Sequence, residues 1–133
     1  MFTWQPTMSV GVEEFVSHHK RIVELINKLS DSLTRADTSA AVREVLAEVS
    51  NYTLYHFFAE EDLMAKHGYP EYDAHRKEHL ELTAKTFHLM STAYGGHGAI
   101  GQEVYDFLVH WLTNHILITD KKYSAFFQER GIS

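Results

Sequence analysis

The stretch SAAVREVLAEVSNYTLYHFFAEEDLMAKHGYP, residues 39–70, predicts a long amphipathic helix that ends in a sharp turn. Its apolar side chains recur at helical spacing along one face, namely Val42, Val45, Leu46, Val49, Tyr52, Leu63 and Met64. Gly68 is a favourable residue for ending a helix, and Pro70 suits the first turn of the next one. We therefore expect one helix from about Ser39 to Lys66 and another that begins at Pro70.

Helical spacing continues on both sides of this stretch. The expected helices are Val12 or Ser17 to Arg35, Ser39 to Lys66, Pro70 to Ala93, and Ile100 to Ile118, followed by a short helical piece at about 120–129. In the third helix we expect the inward-facing side chains to be Leu80, Leu82, Phe87 and Met90. Short connections between long helices imply antiparallel neighbours. The sequence thus predicts an all-α, up-down-up-down antiparallel four-helix bundle with an extended N-terminal arm.

The length of 133 residues favours a single domain covering 1–133, with the arm at about 1–11 and the bundle at about 12–118. The 44% hydrophobic content is typical of a globular protein with a core, and a net charge of −6 argues against binding nucleic acid. No stretch is apolar for long enough to predict membrane insertion, and the start of the chain does not resemble a secretory signal. We therefore expect a cytoplasmic protein.

Seven potential metal ligands lie within these predicted helices: His19, His56, Glu60, His75, His79, His115 and Asp120. Residues four apart share a helix face, so His56 pairs with Glu60, and His75 pairs with His79. Apolar residues surround His19, His56 and His115 at helical offsets, which predicts that these histidines point into the core. A lone histidine there is more often a hydrogen-bonded core residue. Burying polar side chains from four helices at one place would cost much free energy unless metal ions satisfied them.

The other five histidines are not expected to bind metal. His18 lies on the polar border of its helix and forms a pair with Glu14 that we expect at the surface. The remaining four lie at a helix end, in the loop of residues 95–98 or away from the ligand faces, namely His67, His88, His97 and His110. Their positions offer no common point to which they could deliver a ligand atom.

Asp120 does not fit a regular α-helix. Five residues separate it from His115, which rotates the two side chains about 140° apart on an ideal helix. The two could share a face only if the helix ended, bent or bulged between them. We therefore expect a local break or a π-type bulge around Ile118–Thr119.

The ligand types restrict the metal. Cysteine is absent, which excludes thiolate zinc sites and iron–sulfur clusters. Seven nitrogen and oxygen ligands are too many for one zinc ion, so two metal ions are favoured, and two octahedral irons would fit. The chain contains no Glu-x-x-His, the repeat that ferritin-like di-iron proteins use. A histidine-rich centre with two metals remains.

The strings HHKRIVELIN (18–27), YHFFAEEDLM (55–64), HRKEH (75–79) and HWLTNHILITD (110–120) resemble those of the hemerythrins, in particular the single-domain bacterial form. The resemblance covers almost the whole chain and implies a non-haem di-iron centre with a bridging oxo or hydroxo group. It implies that one iron is held by three histidines, His75, His79 and His115. The other would be held by His19 and His56, and both carboxylates, Glu60 and Asp120, would bridge the two irons. Spacing and burial alone leave Glu60 and Glu61 hard to separate, and the resemblance favours Glu60 over Glu61 and His19 over His18.

The resemblance also implies reversible dioxygen binding, for storage, transport or supply of oxygen. Counting octahedral positions leaves one open, on the iron that has two histidines, where dioxygen would bind. Family placement suggests an apolar oxygen pocket formed by Phe57, Trp111, Leu112 and Ile116, which would also serve as ordinary core packing. The alternatives are a di-iron oxidase or peroxide-handling enzyme, and an oxygen or redox sensor. We expect a non-enzymatic monomer with at most weak oxidase activity, and an oxygen-consuming partner protein is possible.

Overall fold

A computed structural model describes residues 2–33, 39–94 and 100–133 of the chain. Its elements are a 3₁₀ turn at Pro6–Met8, helices α1 (Glu13–Ser32), α2 (Ser39–His67), α3 (Tyr72–Tyr94) and α4 (Gly101–His110), a π-helical segment at Trp111–Asp120, and α5 (Lys121–Glu129). The described residues contain no strand. The predicted end of the first helix at Arg35 and the loop of residues 95–98, with His97, lie outside the described residues.

The helices form the predicted antiparallel bundle. Helix α2 packs against α1 and α3, and α1 also packs against α4. Only residues 68–71 separate α2 from α3, so these two helices must run in opposite directions. Within the described residues, no helix is long and apolar enough to cross a membrane.

Gly68 ends α2 as predicted. Its backbone φ of 66° lies in the left-handed region, which favours glycine. The amide of Tyr69 then donates a hydrogen bond to the carbonyl oxygen of Met64 at 3.0 Å, as in a Schellman motif. Pro70 does not begin α3, as the sequence suggested. It lies in a turn closed by a 3.1 Å hydrogen bond from the amide of Tyr72 to the carbonyl of Tyr69, and α3 starts at Tyr72.

The prediction of which α3 side chains face inward was partly wrong. Leu80 is 61% exposed and Phe87 is 52% exposed, whereas Leu82 and Met90 pack against the core. The face that α3 turns inward follows the helical line of the residues His75, His79, Thr86 and Leu89, which are all buried. Leu80 and Phe87 each follow a residue of this line by one position, about 100° around the helix, so they face outward.

The fourth predicted helix continues further than expected and changes its winding. The chain stays helical without interruption from Gly101 to Glu129, but the segment Trp111–Asp120 is a π-helix. The predicted local bulge at Ile118–Thr119 is therefore part of a ten-residue segment. The C-terminal piece, α5, continues directly from it.

Two apolar clusters divide the core. The larger one lies among α1, α2, α4 and the π-helical segment and includes Ile26, Leu46 and Trp111. The smaller one joins the arm and α5, and includes Val10, Phe15 and Tyr123. His56 contacts rings from both clusters, with ring centroids 5.7 Å from Phe15 and 6.0 Å from Phe57. The polar centre described below therefore lies between two apolar clusters that shield it from water.

The N-terminal arm lies against the bundle. Phe2 and Trp4 pack on the larger cluster, and Asn27 of α1 accepts a hydrogen bond from the amide of Phe2 and donates one to its carbonyl. Gly11 has a φ of 79°, and a Cβ at this position would lie 2.7 Å from Nε2 of Gln128. Glycine thus lets the arm turn closely past α5.

Candidate metal centre

The seven residues predicted as metal ligands lie together in the interior of the bundle. Each of them is buried, and four elements contribute them: α1, α2, α3 and the π-helical segment. Their ligand atoms form two overlapping groups, each within 4.8 Å: Glu60, His75, His79, His115 and Asp120 in one group, and His19, His56, Glu60 and Asp120 in the other. Only the two carboxylates belong to both groups. This arrangement can hold two cations that share Glu60 and Asp120.

The α-helical pairs meet as their spacing predicts. His56 and Glu60 are one turn apart on α2, and Nε2 of His56 lies 3.3 Å from Oε1 of Glu60. His75 and His79 are one turn apart on α3, with ring centroids 4.5 Å apart. Nε2 of His79 lies 3.1 Å from the same Glu60 oxygen, so α2 and α3 direct their ligands to one place.

The π-helical segment explains the position of Asp120. A π-helix is closed by hydrogen bonds between residues five apart. Side chains five apart therefore lie on the same side of the helix, whereas in an α-helix they point in different directions. His115 and Asp120 have this separation, and Nε2 of His115 lies 3.1 Å from Oδ1 of Asp120. Asp120 also approaches Nε2 of His75 at 2.9 Å and, with its other oxygen, Nε2 of His19 at 3.0 Å. The winding of this segment therefore turns Asp120 into the centre.

Hydrogen bonds within the cluster do not satisfy all of its nitrogen and oxygen ligand atoms. Six of them are buried without a hydrogen-bond partner among the described residues: Oε1 of Glu60, both Oδ atoms of Asp120, and Nε2 of His75, His79 and His115. They nevertheless converge from several sides on a small volume. Unpaired buried polar atoms are costly, and cations bound between them would satisfy them together. The residues present thus fit a pair of metal ions with nitrogen and oxygen ligands.

The electrostatics of the cluster show how strongly it attracts positive charge. Burial lowers the pKa of His19 and His75, but the carboxylates of Asp120 and Glu60 beside their Nε2 atoms outweigh it and raise each pKa to about 9. The pKa of His115 rises to about 10 for the same reasons, with Glu78 contributing. Burial would raise the pKa of Asp120 and of Glu60, yet the neighbouring histidines hold both below their usual range. Without a metal, protons supply the positive charge that the carboxylates require.

Metal binding is therefore expected to release protons. In protein stripped by a chelator, the imidazolium forms of His19, His75 and His115 contribute stability that is complete below the ordinary pKa of about 6.5 and disappears as the pH rises through 9–10. At pH 7 a metal ion must displace these protons, so its apparent affinity should rise between pH 7 and pH 9. Anaerobic titration with ferrous iron in weakly buffered solution, followed with an indicator dye, measures the release. Metal uptake without proton release would contradict the expectation.

Three residues that sequence reasoning did not select hold the outer nitrogens of the histidines. Nδ1 of His79 lies 3.0 Å from Oε2 of Glu61, and Nδ1 of His115 lies 3.2 Å from Oε1 of Glu78. Nδ1 of His56 lies 2.7 Å from Nδ1 of His18. Such contacts fix the orientation of a ligand ring and raise its basicity when the partner is a carboxylate. Glu14 is exposed, but His18, on the border of its helix, is half-buried and turns its ring against α2.

Tyr123 is a further residue that sequence reasoning missed. It is fully buried on α5, and its hydroxyl donates a 2.5 Å hydrogen bond to Oε2 of Glu60. The sequence holds a signal for it, because Tyr123 follows Asp120 by three residues and therefore lies on the same side of a helix. The contact holds the second oxygen of Glu60 in place.

Apolar side chains enclose the centre. Phe57, Trp111, Leu112 and Ile116 are all buried, as expected of an apolar pocket. Phe57 stacks on His79 with ring centroids 3.8 Å apart, and Trp111 lies 5.5 Å from Phe57. This wall separates the ligand atoms from bulk water and strengthens their electrostatic interactions.

A family model described as the hemerythrin HHE cation binding domain matches residues 10–127, which include all seven candidate ligands. The chain belongs to the hemerythrin family. A bacteriohemerythrin of Pseudomonas aeruginosa strain LESB58 is 38% identical over 120 residues, covering 90% of this chain and 77% of the relative. A bacteriohemerythrin of Clostridium acetobutylicum is 30% identical over 128 residues, covering 92% of this chain and 98% of the relative.

Solved hemerythrin structures show the same architecture. The crystal structure of a wild-type hemerythrin superposes with a TM-score of 0.85 at 29% sequence identity, covering 94% of this chain and 96% of that one. The likeness therefore extends over most of the chain. Within this hemerythrin fold the ligands come from the first half of α1, the C-terminal half of α2, the first turns of α3 and the π-helical segment.

Proposed function

We propose that this hemerythrin binds dioxygen reversibly at two iron ions held by the seven buried ligands. His75, His79 and His115 would hold one iron, His19 and His56 the other, and Glu60 and Asp120 would bridge both. The single observation that carries the proposal is the pair of overlapping ligand groups that share these two carboxylates. The family membership supports iron as the metal and dioxygen as its ligand.

The protein residues and the irons would have different roles. When bound, the iron pair, with its bridging oxo or hydroxo group, would supply the electrons that dioxygen takes up. The carboxylates and histidines would hold the two irons, and Glu61 and Glu78 orient His79 and His115. Phe57, Trp111, Leu112 and Ile116 exclude water, which would otherwise promote loss of the bound ligand and oxidation of the iron.

The ligand atoms lie below the surface of the bundle, which favours a protein that binds a small ligand over an enzyme that converts a larger substrate. A groove of about 580 Å³ between α2 and α3 is lined by Phe57 and His79, among others. His79 is nevertheless only 2% exposed, and its Nε2 atom is buried. A bulky dissolved substrate in this groove therefore meets the outer edges of these rings and not the ligand atoms. We propose a role in storing, transporting or supplying oxygen in the cytoplasm.

Spectroscopy of the purified protein distinguishes this role from enzymatic ones. We expect two irons per chain and a visible spectrum that cycles reversibly between reduced and oxygenated forms. Rapid conversion to ferric iron with release of peroxide would instead indicate an oxidase. Protein that contains only zinc, or a single metal per chain, would contradict both the carrier and the oxidase.

A further inference from the structure

Tyr52 is a buried tyrosine whose hydroxyl has no partner. It lies on α2, one turn before His56, and is 0% exposed. No group among the described residues forms a hydrogen bond with its hydroxyl. Buried hydroxyls in folded proteins are almost always hydrogen-bonded, so an unpartnered one indicates a ligand that completes it. Packing alone does not account for a tyrosine here, because a phenylalanine would fill the same space without this cost.

The Tyr52 ring lies against one side of the metal centre. It stacks on the ring of His56, with centroids 4.7 Å apart and planes inclined by 24°. Trp111 meets its face at 6.0 Å, and Phe57 lies at 6.3 Å. Tyr52 therefore joins two residues of the apolar pocket beside a candidate ligand of the second metal. Its hydroxyl is an unpartnered hydrogen-bonding group beside this wall, among the residues that the structure describes.

The hydroxyl of Tyr52 is suited to donate a hydrogen bond while it keeps its proton. Burial raises its pKa well above the ordinary value, and the negative charges of Glu60 and Asp120 raise it further. A neutral phenol carries one O–H group that can donate a hydrogen bond.

The ligand count places a non-protein ligand on the same side. The group that contains His75, His79 and His115 offers five protein ligand atoms, whereas the group that contains His19 and His56 offers four. An octahedral ion takes six ligands, and one bridging oxygen adds a single ligand to each metal. The metal at His19 and His56 therefore has room for one more ligand, next to the ring on which Tyr52 stacks.

We propose that the hydroxyl of Tyr52 donates a hydrogen bond to the small ligand bound at the metal of His19 and His56. Tyr52 then determines specificity: it favours ligands that carry negative charge and can accept a hydrogen bond over apolar ligands of similar size. A hydrogen bond from a donor in an otherwise apolar pocket contributes more to the free energy of ligand binding than the same bond in water, because no solvent competes for it. The inference rests on the proposed di-iron site.

Azide is a suitable probe, since it is a small anion that binds ferric iron and accepts hydrogen bonds. The full chain is loaded anaerobically with ferrous iron, oxidised to the ferric form and titrated with azide in parallel with Tyr52→Phe. We expect the substitution to weaken azide binding by about tenfold, the usual contribution of a hydrogen bond to a charged acceptor. The infrared stretching band of bound azide should shift as well, which loss of packing alone would not produce. Tyr55→Phe is the matched control, because Tyr55 lies on the same helix but is 45% exposed.

Each outcome of the titration decides the proposal. Weaker azide binding and a shifted band in Tyr52→Phe, with Tyr55→Phe unchanged, support it. An unchanged dissociation constant in Tyr52→Phe, with normal iron content, overturns it and leaves the di-iron site intact; the hydroxyl then bonds only to ordered water. If the unaltered chain takes up no iron, the proposed function and this inference both fail. Iron content and thermal unfolding of each variant separate these outcomes from misfolding, and removing an unpartnered hydroxyl is not expected to destabilise the fold.

Discussion

His79→Ala is expected to abolish stable iron binding at the three-histidine metal. His79 places Nε2 3.1 Å from Glu60, while Nδ1 contacts Glu61 and the ring stacks on Phe57. Loss of an outer partner of a ligand already weakens metal binding about 10–100-fold, so loss of the ligand itself should cost at least about 100-fold. Because Glu60 bridges both metals, the second iron should be held less tightly as well. Iron per chain after dialysis against a weak chelator measures the effect.

His88→Ala is the matched control for this prediction. His88 lies on the same helix but is exposed, outside both ligand groups. The control should keep the iron content and the visible spectrum of the unaltered protein. Full iron content in His79→Ala would show that His79 is not a ligand.

Exchanging Thr119 and Asp120 should also eliminate the centre, although composition and charge stay the same. The double variant Thr119→Asp with Asp120→Thr moves the carboxylate from five to four residues after His115. The moved carboxylate would take the place of the Thr119 side chain, which faces Glu78 and not the ligand atoms of the centre. The displaced carboxylate would also meet Glu78, to which the Thr119 hydroxyl now donates at 2.9 Å. We expect loss of iron and a lower melting temperature.

Thr119→Val separates the two effects of the exchange. This variant removes the hydroxyl but leaves Asp120 in place, so it should retain iron with at most a modest loss of affinity. Normal iron content in the double variant would mean that the segment winds as an α-helix when metal is bound. The iron content therefore reports the winding of residues 111–120 directly.

Much of this site could be predicted from local pattern. The pairs His56–Glu60 and His75–His79 follow from α-helical spacing, and apolar neighbours identify the buried face of each helix. The same reasoning chose the wrong residues on α3, where Leu80 and Phe87 are exposed. Buried positions are mostly apolar, but an apolar side chain is not always buried, since many also occur at surfaces. The line of His75, His79 and Thr86 was the better guide to that face.

The sequence by itself determined the helices, their antiparallel order and the ligand pairs one turn apart, because these depend on residues close together in the chain. Only the tertiary structure decided how Trp111–Asp120 winds, because a π-helix is less favourable locally and is held by what it packs against. It also decided the contacts of His18 with His56, Glu78 with His115, and Tyr123 with Glu60, which join residues from different helices. Such contacts depend on the rotation and height of one helix against another, which no local spacing encodes.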